Sequence, residues 1–280
     1  MLTCFHVLKL WEQRFHKQGI DSPRLSAQLL LAHTLAISKM DLLLNLGLEL
    51  GALDLEAFEG LAKRRLQGEP VAYLVGSREF YGLEFMVGPE VLIPRPETEL
   101  IIDYLRKHYA PDFSGTILDI GTGSGALAVT CAHYFSQAMI LATDLSWPAL
   151  LMAQKNAVQH GVNAQILFTQ GDLAQHVYCH QADIILANLP YVPERDKVNL
   201  SHEVVNYEPW EALFAGADGL DAYRYLALTL QAKVLPGTLL LCEIGSDQGL
   251  AMEHLFAPIA QQIHILKDYS GHHRVVVVVF

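Results

Sequence analysis

Cysteine is scarce in this chain. Cys4, Cys131, Cys179 and Cys242 lie far apart, with no CxxC pair among them. That spacing excludes a disulfide scaffold or a cysteine-rich zinc module and fits a reduced, cytoplasmic protein. Positive charge is also in short supply. Nineteen Lys and Arg stand against thirty Asp and Glu, a net charge of −11, and the only dense basic run is Lys63-Arg64-Arg65. A protein held on nucleic acid by broad phosphate neutralisation is therefore a poor reading. Long apolar runs are missing too. Val275–Phe280 is strand-length, well below the roughly twenty residues that a spanning helix needs. Residues 1–15 carry His6, Glu12 and Arg14 and lack the clean apolar core of a signal peptide. No membrane association is expected, and repeats and low-complexity tracts are absent. What remains is hydrophobic residues at 51%, charged residues at 18% and a mean hydropathy of +0.24 over 280 residues. At roughly 100–200 residues per domain, this is enough for a large buried core and two domains.

The first seventy residues read as helices. Asp21-Ser22-Pro23 is a helix start, and Leu25, Leu29, Ala32 and Leu35 follow at helical spacing. Leu55, Phe58, Ala62 and Leu66 mark another helix, stopped by Gly68 and Pro70, with Lys63, Arg64 and Arg65 complementing its dipole. Glycines 76, 82 and 88 then break up a run of aromatic and β-branched residues, which reads as a short β-hairpin or linker. Beyond Glu97 the pattern becomes a βα alternation. Strands are expected at 116–120, 139–143, 166–169, 182–187, 238–243, 262–267 and 274–280, with no helix between the last two. This predicts an α/β fold: a Rossmann-like, mainly parallel sheet with a C-terminal antiparallel hairpin, plus a small N-terminal helical bundle. The expected divisions are 1–72 for the helical domain, 73–95 for the hairpin linker and 96–280 for the catalytic domain.

The densest local motif is Asp119-Ile120-Gly121-Thr122-Gly123-Ser124-Gly125, placed after a strand and opening a helix. Glycines there allow a tight turn and close backbone approach to a ligand, and a helix N-terminus offers free N–H groups. Gly121, Gly123 and Ala126 also satisfy the G-x-G-x-x-G/A dinucleotide fingerprint, and a plain packing turn has the same pattern. Two carboxylates tilt the balance. Asp119 at the strand end suits a cationic ligand group and is unwelcome beside a pyrophosphate. Asp144, after the next strand, can accept from both hydroxyls of a ribose, although a capping turn with Ser146 is the plainer alternative. Together they point to S-adenosylmethionine more than to NAD.

The fourth strand runs into Asn188-Leu189-Pro190-Tyr191. Adjacent central strands of a doubly wound sheet share one crevice at their carboxyl ends, so Asn188 is expected beside the glycine loop. This tetrapeptide resembles the Asn-Pro-Pro-Tyr motif of methyltransferases that modify planar amide or exocyclic amine nitrogens. An amide nitrogen is a poor nucleophile because its lone pair is delocalised. If the Asn188 side-chain oxygen and the Leu189 carbonyl each accept one of its protons, the lone pair is aimed at a sulfonium methyl and the developing charge is stabilised. Leu189 replaces the motif's first proline but keeps the carbonyl, and Pro190 biases it toward an extended backbone; a looser site is expected. Tyr191 would wall the planar group.

Further segments narrow the resemblance. Gly68-Glu69-Pro70, Tyr73, Gly76, Glu79-Phe80-Tyr81-Gly82, Val91 through Glu99 (VLIPRPETE), Tyr207-Glu208-Pro209, Asp218-Gly219-Leu220, Glu243-Ile244-Gly245 and Gln248-Gly249 closely resemble the signature of the PrmC/HemK family, the protein-(glutamine-N5) methyltransferases of peptide chain release factors. The resemblance runs from about residue 22 to the C-terminus. It implies a glutamine substrate in the Gly-Gly-Gln loop of class 1 release factors. It also implies cofactor contacts from Asp172 and Leu173, where relatives often carry an aromatic that stacks on adenine, and a lid near the cofactor's methionine end from Arg95, Pro96 and Glu97, residues with which a plain interdomain turn is equally consistent.

The expected site is thus Asn188, Leu189, Pro190 and Tyr191 for catalysis. Asp119, Gly121, Thr122, Gly123, Ser124, Gly125, Asp144, Asp172, Leu173 and Asn188 are expected to hold S-adenosylmethionine. No metal is expected: His176, Cys179 and His180 have a workable spacing but read as loop bystanders. The partner that the resemblance implies is a class 1 release factor; no direct nucleic acid contact is expected, and the chain is expected to be a monomer. Four rivals differ in what they require. A ribosomal-protein glutamine methyltransferase usually lacks the continuous Arg95–Glu99 segment. An adenine-N6 enzyme needs a basic groove. A degenerate, non-catalytic binder would carry Leu189 and Leu173 as scars, and a dehydrogenase would bind NADH.

Overall fold

The computed structural model describes residues 2–172, 181–231 and 233–280. The chain forms two compact units, Met1–Ser77 with Ser201–Tyr207, and Arg78–Leu200 with Glu208–Phe280.

The first unit is helical, with α1 (Cys4–Lys17), α2 (Pro23–Thr34), α3 (Lys39–Leu44), α4 (Ala52–Leu66) and α5 (Val71–Val75). Pro23 occupies the first turn of α2, where its missing N–H costs nothing. Val7, Trp11 and Phe15 recur at helical spacing on α1 and bury against Leu30 and Leu31 of α2 and Phe58 and Ala62 of α4. Trp11 and Phe58 meet edge to face at 5.9 Å.

A segment from far along the chain joins this unit, the short helix α9 (His202–Tyr207). Its Glu203 accepts from Arg65 Nη1 at 2.6 Å, and the same nitrogen donates to the Glu69 carbonyl at 2.9 Å. Arg65 is 3% exposed. Its position in the last turn of α4 is as expected, but its work is that of a buried cation with a remote partner, which composition and spacing do not reveal. A charge buried this far is costly once unpaired, typically by about 3–5 kcal/mol. Glu203→Ala, which leaves the buried guanidinium without its carboxylate, is therefore expected to lower unfolding free energy by about that amount and Glu203→Gln by less. Denaturant titration checks this, and a Glu203→Ala midpoint equal to that of the unmodified protein would refute it.

The second unit opens with a hairpin of β1 (Ser77–Phe80) and β2 (Leu83–Met86). The apolar residues that follow, Val87, Val91 and Ile93, are buried but belong to no strand. After α6 (Glu99–His108) come β3 (Thr116–Ile120), α7 (Ala126–Tyr134), β4 (Met139–Asp144), α8 (Trp147–Gln159), β5 (Ile166–Gln170) and β6 (Ile184–Ala187). Then follow α10 (Asp221–Gln231), β7 (Leu239–Glu243), α11 (Gly249–Phe256), β8 (Gln262–Lys267) and β9 (His273–Val279). The seven strands run in the order β5-β4-β3-β6-β7-β9-β8, all parallel except β9, which is antiparallel to both neighbours. The expected α/β architecture, with its terminal antiparallel hairpin, is the one observed. Strand ends differ from the expected ones by one or two residues. The stretch between β5 and β6, where a helix is expected, lies largely outside the described residues.

Both faces of the sheet are covered. Ile117, Ile184, Leu186 and Leu241 pack with α6 and α7 on one side, while Leu118, Ile185, Leu240 and Val276 pack with α10 and α11 on the other. This is why the strands read as near-continuous apolar runs. Among the described residues, no helix is long and apolar enough to cross a membrane.

Candidate active site

The strand order reverses between β3 and β6, and ligands of open α/β sheets bind outside the carboxyl ends at such a point. The register says which residues meet there. Ile120 pairs with Thr143 and with Ala187, and Ala187 pairs with Cys242. One step further along each strand, Gly121, Asp144, Asn188 and Glu243 therefore end four neighbouring strands at nearly one level. A cavity of about 650 Å³ opens beside them, and Asp119, Gly121, Gly123, Asp144, Asp172 and Asn188 are among its lining residues. Thr122, Ser124, Leu189 and Pro190 line it as well. Of the expected residues, Gly125 and Tyr191 are not part of that lining, and Leu173 lies outside the described residues, as do His176, Cys179 and His180.

The glycine loop is held from below. The N–H groups of Gly121 and Thr122 both donate to the Thr143 carbonyl, at 2.8 and 2.9 Å. Gly125, at φ +82°, supports the turn by close packing: a Cβ there would lie 3.2 Å from the Ala153 backbone on α8. Gly123, at φ +55°, faces open space. Three hydrogen bonds of Asn156 complete the support. Its Nδ2 donates to the Ser124 carbonyl at 2.8 Å and to the Met86 carbonyl at 3.0 Å, while its Oδ1 accepts from Met86 N at 2.7 Å. Asn156 escapes sequence reading, although the signal is present: it is a polar residue on the Ala149, Ala153 and Ala157 face of α8.

Both carboxylates of the cavity wall are partly committed. Oδ2 of Asp119 accepts from Thr122 Oγ1 at 2.6 Å and from Ala128 N at 3.2 Å. Burial pushes its carboxyl up to about 7, with these two bonds opposing the rise. Asp144 accepts from Gly123 N through Oδ2 and from Ser146 N through Oδ1, each at 2.8 Å. The capping turn with Ser146 is thus real and coexists with a place in the cavity wall. Burial raises the Asp144 carboxyl as well.

Around Asn188-Leu189-Pro190-Tyr191 the remaining motifs converge. Leu189 is 3% exposed, and its Cδ2 would lie 3.0 Å from a Cβ at Gly121, so the side chain fills the space against the glycine loop. Its N–H donates to the Tyr223 hydroxyl at 3.4 Å, and that hydroxyl in turn donates to the Glu243 carbonyl. The Tyr191 hydroxyl donates to Glu243 Oε1 at 3.0 Å. The Tyr191 carbonyl accepts from Gln248 Nε2 at 2.9 Å, and the same nitrogen reaches the carbonyls of Asp218 and Gly219. A Cβ at Gly219 would collide with the Tyr191 carbonyl at 2.2 Å, which explains glycine there.

Asn188 donates through Nδ2 to Thr98 Oγ1 at 3.1 Å, and Thr98 donates to Glu243 Oε2 at 2.5 Å. Glu243 is 1% exposed, and burial raises its carboxyl against the bonds from Thr98 and Tyr191. At the other end of the same segment, Arg95 Nη2 pairs with the buried Glu208 at 2.6 Å, and Glu208 also accepts from Ile93 N. Thr98 and Glu243 are the site residues that sequence reading leaves without a role.

Comparison with known proteins places this geometry in a family. The model of the PrmC N-terminal domain matches residues 6–76, and that of the methyltransferase small domain matches residues 96–213. The release factor glutamine methyltransferase of Moorella thermoacetica is 39% identical, covering 94% of this chain and 93% of that protein. The one from Chlorobaculum tepidum is 36% identical over 96% and 94%. Among solved structures, the hMettl16 catalytic domain in complex with a MAT2A 3′UTR hairpin superposes with a TM-score of 0.57 at 18% identity, over 78% of this chain and 81% of that one. The Thermus thermophilus 16S rRNA N2 G1207 methyltransferase, in complex with AdoMet and guanosine, gives 0.54 at 19% identity, over 72% and 49%. At such identities the structural likeness shows the methyltransferase fold alone. The near full-length sequence relatives go further: the chain belongs to the family of release factor glutamine methyltransferases.

Proposed function

We propose that this protein methylates the side-chain amide nitrogen of the glutamine in the Gly-Gly-Gln motif of class 1 peptide chain release factors, with S-adenosylmethionine as methyl donor. The observation that carries the reading is the placement of Asn188 beside the glycine loop in one cavity, in a chain that matches release factor glutamine methyltransferases over nearly its whole length.

The residues present fit the cofactor. Gly123 leaves open space where a side chain would project, and Asp119 and Asp144 bring two carboxyls to the cavity wall, where a sulfonium or a ribose could meet them. When bound, S-adenosylmethionine supplies a methyl group that is electrophilic because it sits on a sulfonium. The chain's task is to orient and hold. The Asn188 side-chain oxygen and the Leu189 carbonyl each accept a proton of the substrate amide, which fixes the nitrogen's lone pair in direction and stabilises positive charge as it develops there. No strong base is needed, because the nitrogen's proton becomes acidic as the new bond forms and passes to water, while the thioether is left on the cofactor. Tyr191, tied at both its hydroxyl and its carbonyl, keeps this turn rigid. We further assign residues 1–72 to holding the protein substrate, 73–95 to linking and 96–280 to chemistry, in a cytoplasmic monomer that makes no direct nucleic acid contact. The net charge of −11 favours a protein over a nucleic acid substrate.

Mass spectrometry of a purified class 1 release factor, incubated with the protein and S-adenosylmethionine, tests this directly. The expected result is the mass of one methylene added at the Gly-Gly-Gln glutamine and its loss in Asn188→Ala. An unmodified glutamine under saturating cofactor would refute the reading.

Asp119 carries a separate expectation. Its carboxyl lies near 7 when folded against an ordinary value of 3.8. The folded protein thus keeps a proton that the unfolded chain has released, so this group's contribution to stability falls as pH rises from about 4 to about 7. Asp119→Asn removes that loss. Without ligand, its melting temperature is expected to exceed that of the unmodified protein by more at pH 8 than at pH 5, by roughly 2–4 °C per kcal/mol recovered. Its affinity for S-adenosylmethionine is expected to fall by about tenfold or more. Calorimetry at the two pH values reads both, and equal affinity would dismiss Asp119 as a cofactor ligand.

A further inference from the structure

The chemistry above asks nothing of Thr98 or Glu243, yet both are buried and joined in series to Asn188. The two ends of an asparagine amide have nearly the same shape but opposite hydrogen-bonding sense. With its oxygen toward the substrate, Asn188 accepts from the reacting nitrogen. Turned over, it would present two N–H donors to a group that is itself a donor, and the site would repel its substrate. Something must select between these orientations.

The proton inventory identifies the selector. A threonine hydroxyl has one proton, and Thr98 gives it to Glu243 Oε2 at 2.5 Å. An ionised carboxylate only accepts. Its other oxygen accepts from the Tyr191 hydroxyl at 3.0 Å; burial raises this carboxyl, and the bonds from Thr98 and Tyr191 together with the charge of Arg274 oppose that rise. With its proton committed, Thr98 can offer Asn188 only a lone pair, and it meets Nδ2 at 3.1 Å. The amide nitrogen is thereby drawn toward Thr98, and Oδ1 is left for the cavity that Asn188 lines. Resting on the methyltransferase reading, we propose that Thr98 and Glu243 are positioning residues: a buried carboxylate fixes the direction of the Thr98 hydroxyl, which fixes the Asn188 side chain with its oxygen toward the substrate amide. Through Tyr191 the same carboxylate holds the far end of the Asn-Leu-Pro-Tyr turn, so both ends share one anchor.

Three substitutions test this. Thr98→Val keeps the volume and removes the hydroxyl; kcat for release factor methylation is expected to fall about 10–100-fold. The affinity for S-adenosylmethionine should stay within about twofold, and Thr98→Ser should recover most of the loss, as expected if the hydroxyl alone matters. Glu243→Gln can donate to Thr98 and free the threonine proton for Asn188 Oδ1, so it should lower kcat comparably despite its near-identical shape. Turnover by Thr98→Val within twofold of the unmodified protein would overturn the proposal; should that variant not fold, undiminished turnover by Glu243→Gln would do so.

A readout independent of methylation separates this proposal from the activity itself. The Asn188 side-chain NH2 resonances, identified by their absence in Asn188→Ala, should show one proton protected from solvent exchange. Protection should be lost in Thr98→Val and retained in Thr98→Ser. If the unmodified protein fails to methylate any release factor, the activity reading falls, while equal protection in all three proteins would overturn the positioning role on its own.

Discussion

Parallel pairing puts the carboxyl ends of β3, β4, β6 and β7 on one edge of the sheet, and everything functional in the larger unit depends on that constraint. Each strand delivers its next residue to that edge without a loop to place it: Gly121, Asp144, Asn188 and Glu243. The order reversal between β3 and β6 sends the connecting helices to opposite faces, which opens the crevice there. The sheet in turn holds because both faces are buried under helices, so its register cannot slip without moving a whole row of apolar side chains.

Upon this edge the protein builds a second layer made of side-chain bonds to backbone. Gln248 gathers the carbonyls of Tyr191, Asp218 and Gly219, Tyr223 joins the Leu189 N–H to the Glu243 carbonyl, and Asn156 binds the glycine loop to the hairpin. The loops that line the cavity are irregular, so their polar backbone groups need partners from side chains. This accounts for several sequence motifs with no evident chemistry of their own. Asp218-Gly219-Leu220 and Gln248-Gly249 serve the turn that carries Asn188, and Glu99 of the Arg95–Glu99 segment accepts from the N–H of Tyr81 at 2.9 Å.

Much of this was legible in the sequence because it follows from local rules. Strand-length apolar runs separated by helical spacing give the sheet, and the glycine loop and the Asn-Leu-Pro-Tyr turn are contiguous segments with their own chemistry. The order of strands past β7, the partner of Arg65 and the Thr98–Glu243 pair were not legible. They depend on contacts between residues as much as 145 apart, which no periodicity encodes. Even so, weak marks are there in retrospect. Glu243 closes a strand that is otherwise Leu-Leu-Leu-Cys, and Asn156 interrupts an alanine face; a lone polar residue in such a setting is where a buried network begins. Helical spacing, by contrast, places Arg65 at the end of α4, where it complements the dipole, and says nothing of its burial or its partner.

The partnership of Arg65 with Glu203 also has a consequence for how the molecule comes into being. Because 138 positions separate the pair, the helical unit is not encoded by a continuous stretch of chain. At elongation rates of about 5–20 residues per second, α4 emerges from the ribosome roughly 7–30 s before α9. During that interval its guanidinium can reach the Glu69 carbonyl but not the Glu203 carboxylate, so the ion pair closes only after β3 through β6 have been synthesised.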